Sequence, residues 1–108
     1  MSIEIINYKT DSGKEPFVEW LKDLDTSERA IIRSRLNRVR TGNFGDCWPL
    51  EGSKGIYEFR IDHGPGYRIY FIKEGNKLIL LLIGGIKRTQ NRDIEKAKRY
   101  WNDYKENK

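Results

Sequence analysis

Two periodicities divide the chain. Ile3 to Tyr8 (IEIINY) opens it as a short β-like run, and DSGKEP then turns it. Phe17, Trp20, Leu21 and Leu24 recur at i, i+3, i+4 and i+7, the spacing of one buried helix face, with Pro16 suited to the first turn. Asp25 and Glu28 have capping-box spacing and start a second helix, whose apolar stripe is Ile32, Leu36 and Val39. Gly42 follows as a natural stop. So short a link predicts an antiparallel αα-hairpin.

The stretch TGNFGDCWPLEGSKG reads as loop. Period-two patterning then predicts strands over about 55–62, 67–73 and 77–83. Gly-Pro-Gly and Gly-Asn-Lys mark the two turns between them. The run LILLLI is apolar at every position, as expected of a strand covered on both faces, and Gly84-Gly85 should break or bend it. From Asn91 the pattern is helical again, with Ile94, Ala97, Trp101 and Tyr104 on one side. The predicted order is β-α-α-β-β-β-α in one α+β domain spanning residues 1–108.

The first hairpin raises a question of charge. Around FRIDHGPGYRIYF (residues 59–71), apolar matching sets Tyr57, Phe59 and Ile61 opposite Phe71, Ile69 and Tyr67, so Arg60 faces Arg68. Like charges directly opposite are destabilising. Either acids on the same face (Glu58, Asp62) neutralise the pair, or an anion sits between the two arginines. The next register is expected to set Arg68 opposite Leu82. The chain then leaves the sheet at the turn end, bringing Lys87 and Arg88 towards Arg60, Arg68 and His63.

Composition narrows the chemistry. The net charge is +5 over 108 residues, and residues 55–108 carry the whole excess. Arg29, Arg33, Arg35, Arg38 and Arg40 add an acid-free cluster in the first half. Such clustering favours a polyanion or an acidic protein partner. No apolar run approaches the ~20 residues of a membrane span, and MSIEIINYKT has no signal-peptide pattern, so a cytoplasmic location is expected. The single cysteine, Cys47, reads as a small, partly buried apolar residue, and one Cys with one His cannot close a zinc site. There is no Walker loop and no metal-ligand cluster, so no cofactor is expected.

On the second alternative, an anion between the arginines, the reading is a phosphate site made of Arg60, Arg68, Lys87 and Arg88, since the planar arginine fork suits phosphate oxygens. Metal-free cleavage of RNA asks little more. A base frees the 2′-OH to attack the adjacent phosphorus, cations stabilise the added charge, and an acid protonates the leaving oxygen. His63, in the turn, is a candidate base only if the site closes around it.

GIYEFR, GPGYRIYF, LLIGGIKRTQ and the helix EKAKRYWNDY, with PFVEWLKDL before them, closely resemble the HigB-like addiction-module killer proteins of the RelE/ParE toxin superfamily. The resemblance covers nearly the whole chain. It implies a RelE-like, microbial-RNase-like fold, an antiparallel sheet with an N-terminal αα-hairpin and a C-terminal helix. It implies the toxin of a type II toxin–antitoxin system, an endoribonuclease that cleaves mRNA on ribosomes and so inhibits translation. Its partner would be a cognate antitoxin, often of helix-turn-helix type.

Carried over by motif, Arg68 and Arg88 stabilise the phosphate, and Lys87 or Lys54 moves a proton. Arg60, Lys54 and His63 are the further RNA-binding candidates. Some RelE-type members end in a catalytic tyrosine on a short tail. Here a long helix follows, and the role is not transferred to Tyr100 or Tyr104. The superfamily also contains ParE-type proteins that poison DNA gyrase, which keeps that alternative open, beside an inactive basic module held by an antitoxin.

Overall fold

The computed structural model describes residues 2–107. Its elements are β1 (Glu4–Asn7), α1 (Pro16–Lys22), α2 (Thr26–Arg40), β2 (Cys47–Pro49), β3 (Ile56–Ile61), β4 (Tyr67–Glu74), β5 (Leu78–Ile86) and α3 (Gln90–Glu106). A single 3₁₀ turn, Lys87–Thr89, joins β5 to α3. The five strands form one sheet in the order β1-β5-β4-β3-β2.

Two features correct the expected order and sheet. The segment read as loop contains β2, a three-residue edge strand antiparallel to β3. Three residues, one of them proline, carry no alternation to read. The sheet is also mixed, not wholly antiparallel, because β1 pairs parallel with β5.

Each face of the sheet has its own core. Phe17 and Leu21 of α1, with Ile32, Leu36 and Val39 of α2, pack on Phe59, Ile61, Ile69, Phe71, Ile79 and Leu81. On the other face Ile94, Ala97, Tyr100, Trp101 and Tyr104 of α3 pack on Ile56, Tyr70, Ile72, Leu80, Leu82 and Ile83. The apolar run of β5 is thus covered on both faces. No helix among the described residues is long and apolar enough to cross a membrane.

The start of α2 is fixed locally. Asp25 accepts from the Glu28 amide at 2.9 Å, and Glu28 accepts in return from the Asp25 amide at 3.3 Å. Glu28 also receives the Tyr67 hydroxyl, which ties this helix start to β4. Arg29 donates to the carbonyls of Leu24 (2.7 Å) and Lys22 (3.2 Å), so one arginine of the basic helix closes off α1.

The Glu28 amide, followed by the Ser27 hydroxyl, holds the Asp25 carboxyl below its usual range. Its folded pKa lies below the unfolded value, so its contribution is present above about pH 4 and is lost as pH falls through the folded pKa. Asp25→Ala is therefore expected to lower the urea midpoint at neutral pH, and the gap to wild type should narrow in acid. A gap unchanged down to about pH 2 would rule out the cap as its source.

The β3–β4 hairpin has the expected register, with Arg60 opposite Arg68 and Ile61 opposite Tyr67. Gly64 (φ 55°) and Gly66 (φ 79°) take left-handed conformations that let the DHGPG turn close so tightly. The β4–β5 register differs from expectation. Tyr70 pairs with Ile83 but Phe71 with Leu81, so Leu82 is an extra, bulged residue. Leu82 and Ile83 then both face α3, and Arg68 lies opposite Gly85 instead of Leu82.

The expected break at Gly84-Gly85 is absent as well, since β5 runs on to Ile86. A β-carbon on Gly84 would overlap the Trp20 ring, and one on Gly85 would overlap the Asp93 carboxylate. The glycines admit one neighbour from each face without ending the strand.

Candidate functional site

Glu58 and Arg60 of β3, Arg68 and Tyr70 of β4, and Gly85 of β5 share the face that α3 covers. The cations gather at the turn end of this face. The Lys87 amide donates to the Gly66 carbonyl at 2.7 Å, which docks the 3₁₀ turn on the hairpin turn. A β-carbon at Gly66 would lie 3.4 Å from both Arg68 Nη1 and Lys87 Cβ, which shows how closely these two residues flank it. His63 is in the same turn and exposed. Arg88 follows Lys87 in the 3₁₀ turn, and both are exposed. Lys54 is elsewhere. It precedes β3 at the opposite end of the hairpin, where its carbonyl accepts from Trp101 Nε1 at 3.0 Å. The structure thus brings Arg60, Arg68, His63, Lys87 and Arg88 to one end of the sheet and sets Lys54, named through motif alone, at the other.

The like-charged pair is relieved asymmetrically. Arg60 Nε donates to Glu58 Oε1 at 2.9 Å, and this bond raises the Arg60 pKa above its ordinary value. Arg68 has no carboxylate within ion-pair distance among the described residues, and neither do Lys87 and Arg88. Its Nη1 donates to the Tyr67 carbonyl at 3.2 Å, while its Nε is buried without a partner. Asp62, the other acid proposed to neutralise the pair, is exposed and forms no ion pair among the described residues.

Beneath the cations lies a buried polar layer. Glu58 is 3% exposed, and its second oxygen accepts from the Tyr70 hydroxyl (3.1 Å) and from Gln90 Nε2 (2.6 Å). Burial, with the Glu58 carboxylate beside it, holds the Tyr70 hydroxyl far above the ordinary tyrosine range, so it stays protonated. Asp93, also 3% exposed, lies over Gly85 and accepts from Thr89 Oγ1 at 2.5 Å. No local sequence pattern marks Gln90 for this layer. The signal for Asp93 is an acid on the apolar side of a helix, one turn before Ala97.

Cys47 is half-buried, and burial is the main cause that raises its thiol pKa, which suits packing better than chemistry. A recess of about 540 Å³ lies between α1, the end of β5 and α3, lined by Trp20, Gly84, Gly85, Asp93, Arg92 and Lys96 among others. Arg60, Arg68, Lys87 and Arg88 do not line it; Lys87 and Arg88 are exposed, and Arg68 is half-buried. Three cations free of acids, at the rim of a rigid sheet, can bind and orient a phosphate group.

The family described as "Phage derived protein Gp49-like (DUF891)" matches residues 19–102. The chain belongs to this family. An uncharacterized protein of Haemophilus influenzae is 43% identical over 83 residues, which are 76% of this chain and 82% of that protein. Among solved structures, a mutant of the Escherichia coli toxin RelE in the free state superposes with a TM-score of 0.65 at 16% identity. The match covers 92% of this chain and 98% of that one, so the Gp49-like chain shares the RelE fold. The matched residues contain every candidate cation and the whole of the buried layer beneath them.

Proposed function

We propose that this chain is the toxin of a type II toxin–antitoxin system, of HigB-like type, acting in the cytoplasm as a metal-independent, ribosome-dependent mRNA endonuclease. The observation that carries the reading is the convergence of Arg68, Lys87 and Arg88, none of them neutralised by an acid, at one end of a RelE-like sheet. Family membership, and a structural neighbour that is itself a toxin, support the toxin half of the reading.

In this reading the RNA's own 2′-OH loses its proton and attacks the adjacent phosphorus, the bond from phosphorus to the 5′-oxygen of the next nucleotide breaks, and that oxygen leaves with a proton, giving a 2′,3′-cyclic phosphate and a 5′-hydroxyl end. Arg68 and Arg88 stabilise the charge that develops on the phosphate oxygens. Arg60, anchored through Nε, offers its remaining donors to the backbone. Lys87 moves a proton, and His63 in the turn contacts RNA. Lys54, at the far end of the hairpin, has no part in the step. The helices α1 and α2 pack on the opposite face and α3 covers most of this one, which leaves the turn-end rim that carries the cations to RNA and to a helix-turn-helix antitoxin.

The test is expression from a tightly repressed promoter in bacteria, with growth followed and mRNA 5′ ends mapped within minutes. Growth arrest with new mRNA ends is expected, and co-expression of the cognate antitoxin should prevent both. Arrest with intact mRNA and an induced DNA-damage response would move the target to gyrase. No arrest would leave a basic module without toxic activity.

A further inference from the structure

We infer that Glu58 is the positioning residue of this site, holding Arg60 and the first turn of α3 in a fixed relation so that Lys87 and Arg88 stand beside Arg68. The inference rests on the nuclease reading for its effect on rate, and on geometry alone for the positioning itself.

Glu58 is a buried carboxylate that accepts from three elements. Arg60 Nε comes from its own strand at 2.9 Å, the Tyr70 hydroxyl from β4 at 3.1 Å, and Gln90 Nε2 from α3 at 2.6 Å. A buried charge is costly unless its lone pairs are filled, so these three donors are strongly held. Arg60 gives up only Nε to this bond, which leaves the planar end of its guanidinium facing outward with its side chain 43% exposed. Gln90 opens α3 directly after the 3₁₀ turn that carries Lys87 and Arg88. Pinning Gln90 therefore pins the basic pair one turn away. Tyr70 is fully buried and cannot meet RNA, so its hydroxyl serves the carboxylate and not the substrate.

The arrangement explains why an acid is kept under a basic site. Its negative charge does not reach Arg68, Lys87 or Arg88 at ion-pair distance; among the site's cations it bonds Arg60 directly and acts on Lys87 and Arg88 only through Gln90. Misplacing catalytic groups by an ångström costs far more in rate than in binding.

The test compares wild type with Gln90→Ala, Glu58→Gln and Glu58→Leu in three measurements. These are mRNA cleavage on programmed ribosomes, affinity for ribosomes carrying a 2′-O-methylated mRNA that cannot be cut, and hydrogen exchange at the Lys87 amide. Gln90→Ala should cleave about 10- to 100-fold more slowly. It should bind the uncut complex within about two-fold of wild type. Its Lys87 amide, normally protected by the Gly66 carbonyl, should exchange about ten-fold faster.

Glu58→Gln keeps an acceptor oxygen and should fall between wild type and Glu58→Leu. Should Glu58→Leu fail to fold, Gln90→Ala decides. Unchanged exchange at Lys87 in Gln90→Ala would overturn the inference, whatever happens to cleavage, as would a loss of binding equal to the loss of rate. Faster exchange in a protein whose wild type cuts no RNA would leave the positioning intact and remove the nuclease reading instead.

Discussion

Arg68→Ala is expected to abolish growth arrest while leaving the protein folded. The two halves of that result have separate causes. Arg68 pairs with no carboxylate among the described residues and stands opposite another arginine, so its removal costs no salt bridge and relieves a like-charge contact. What the fold loses is one hydrogen bond to the Tyr67 carbonyl and a buried Nε that has no partner.

The chemical loss is larger. Removing one preorganised donor from a developing oxyanion typically lowers the rate about 100- to 1,000-fold, or about 3–4 kcal/mol of barrier. Arg68→Lys should recover little, because a point charge does not replace a fork that holds two oxygens. The measurements are growth on induction, mapped mRNA 5′ ends, and the thermal midpoint of the purified variants. A folded, fully toxic Arg68→Ala protein would sink the proposed site.

The largest effect on stability is expected from Gly85→Ala. Gly85 has no left-handed backbone, so the penalty is one of space. The new methyl would occupy the place of the Asp93 carboxylate, which is buried and bonded to Thr89. Either the Asp93 side chain must leave Thr89, or the strand or the start of α3 must move. Overpacking of this kind, with a buried acid pushed off its donor, should cost roughly 3 kcal/mol. The thermal midpoint should fall by more than about 10 °C. Asp93→Ala in the same background removes the obstacle, so the double variant should be more stable than Gly85→Ala alone, a coupling that denaturant titration of the four proteins would read. Equal losses in single and double variants would show that Asp93 is not the obstacle.

How far the chain could be read follows from which residues carry parity. Tyr57, Phe59 and Ile61 alternate against polar neighbours, so the β3–β4 register, and the Arg60–Arg68 pair with it, was legible. The run LILLLI is apolar on both faces and carries no such mark; the turn closes two residues out of the expected register, with Glu74 opposite Leu78, and the bulge at Leu82 adds one more, so Arg68 lies opposite Gly85 instead of Leu82. The two glycines read as a break because glycine usually punctuates. Here they are spaces for Trp20 and Asp93, visible only once α1 and α3 are packed.

The site was legible in the same uneven way. Lys87 and Arg88 follow the strand end to the turn, and one docking bond from Lys87 to Gly66 suffices to bring them there. The role of Glu58 could be half read, as a neutraliser of arginine. Its bond to Gln90 spans more than thirty positions and no local pattern announces it. Lys54 was grouped with the cations through motif alone, and the hairpin's length separates it from them.

The parallel pairing of β1 with β5 joins the first strand synthesised to the last. During translation β1 has no partner until Leu78–Leu81 are made, and the basic turn and α3 come later still. Such long-range closure makes folding slow, and the nascent chain meets its surroundings with the cation cluster unbuilt. The topology therefore acts as a delay. Whatever the cation cluster binds, it can bind only after the last strand and the basic turn have been made and docked.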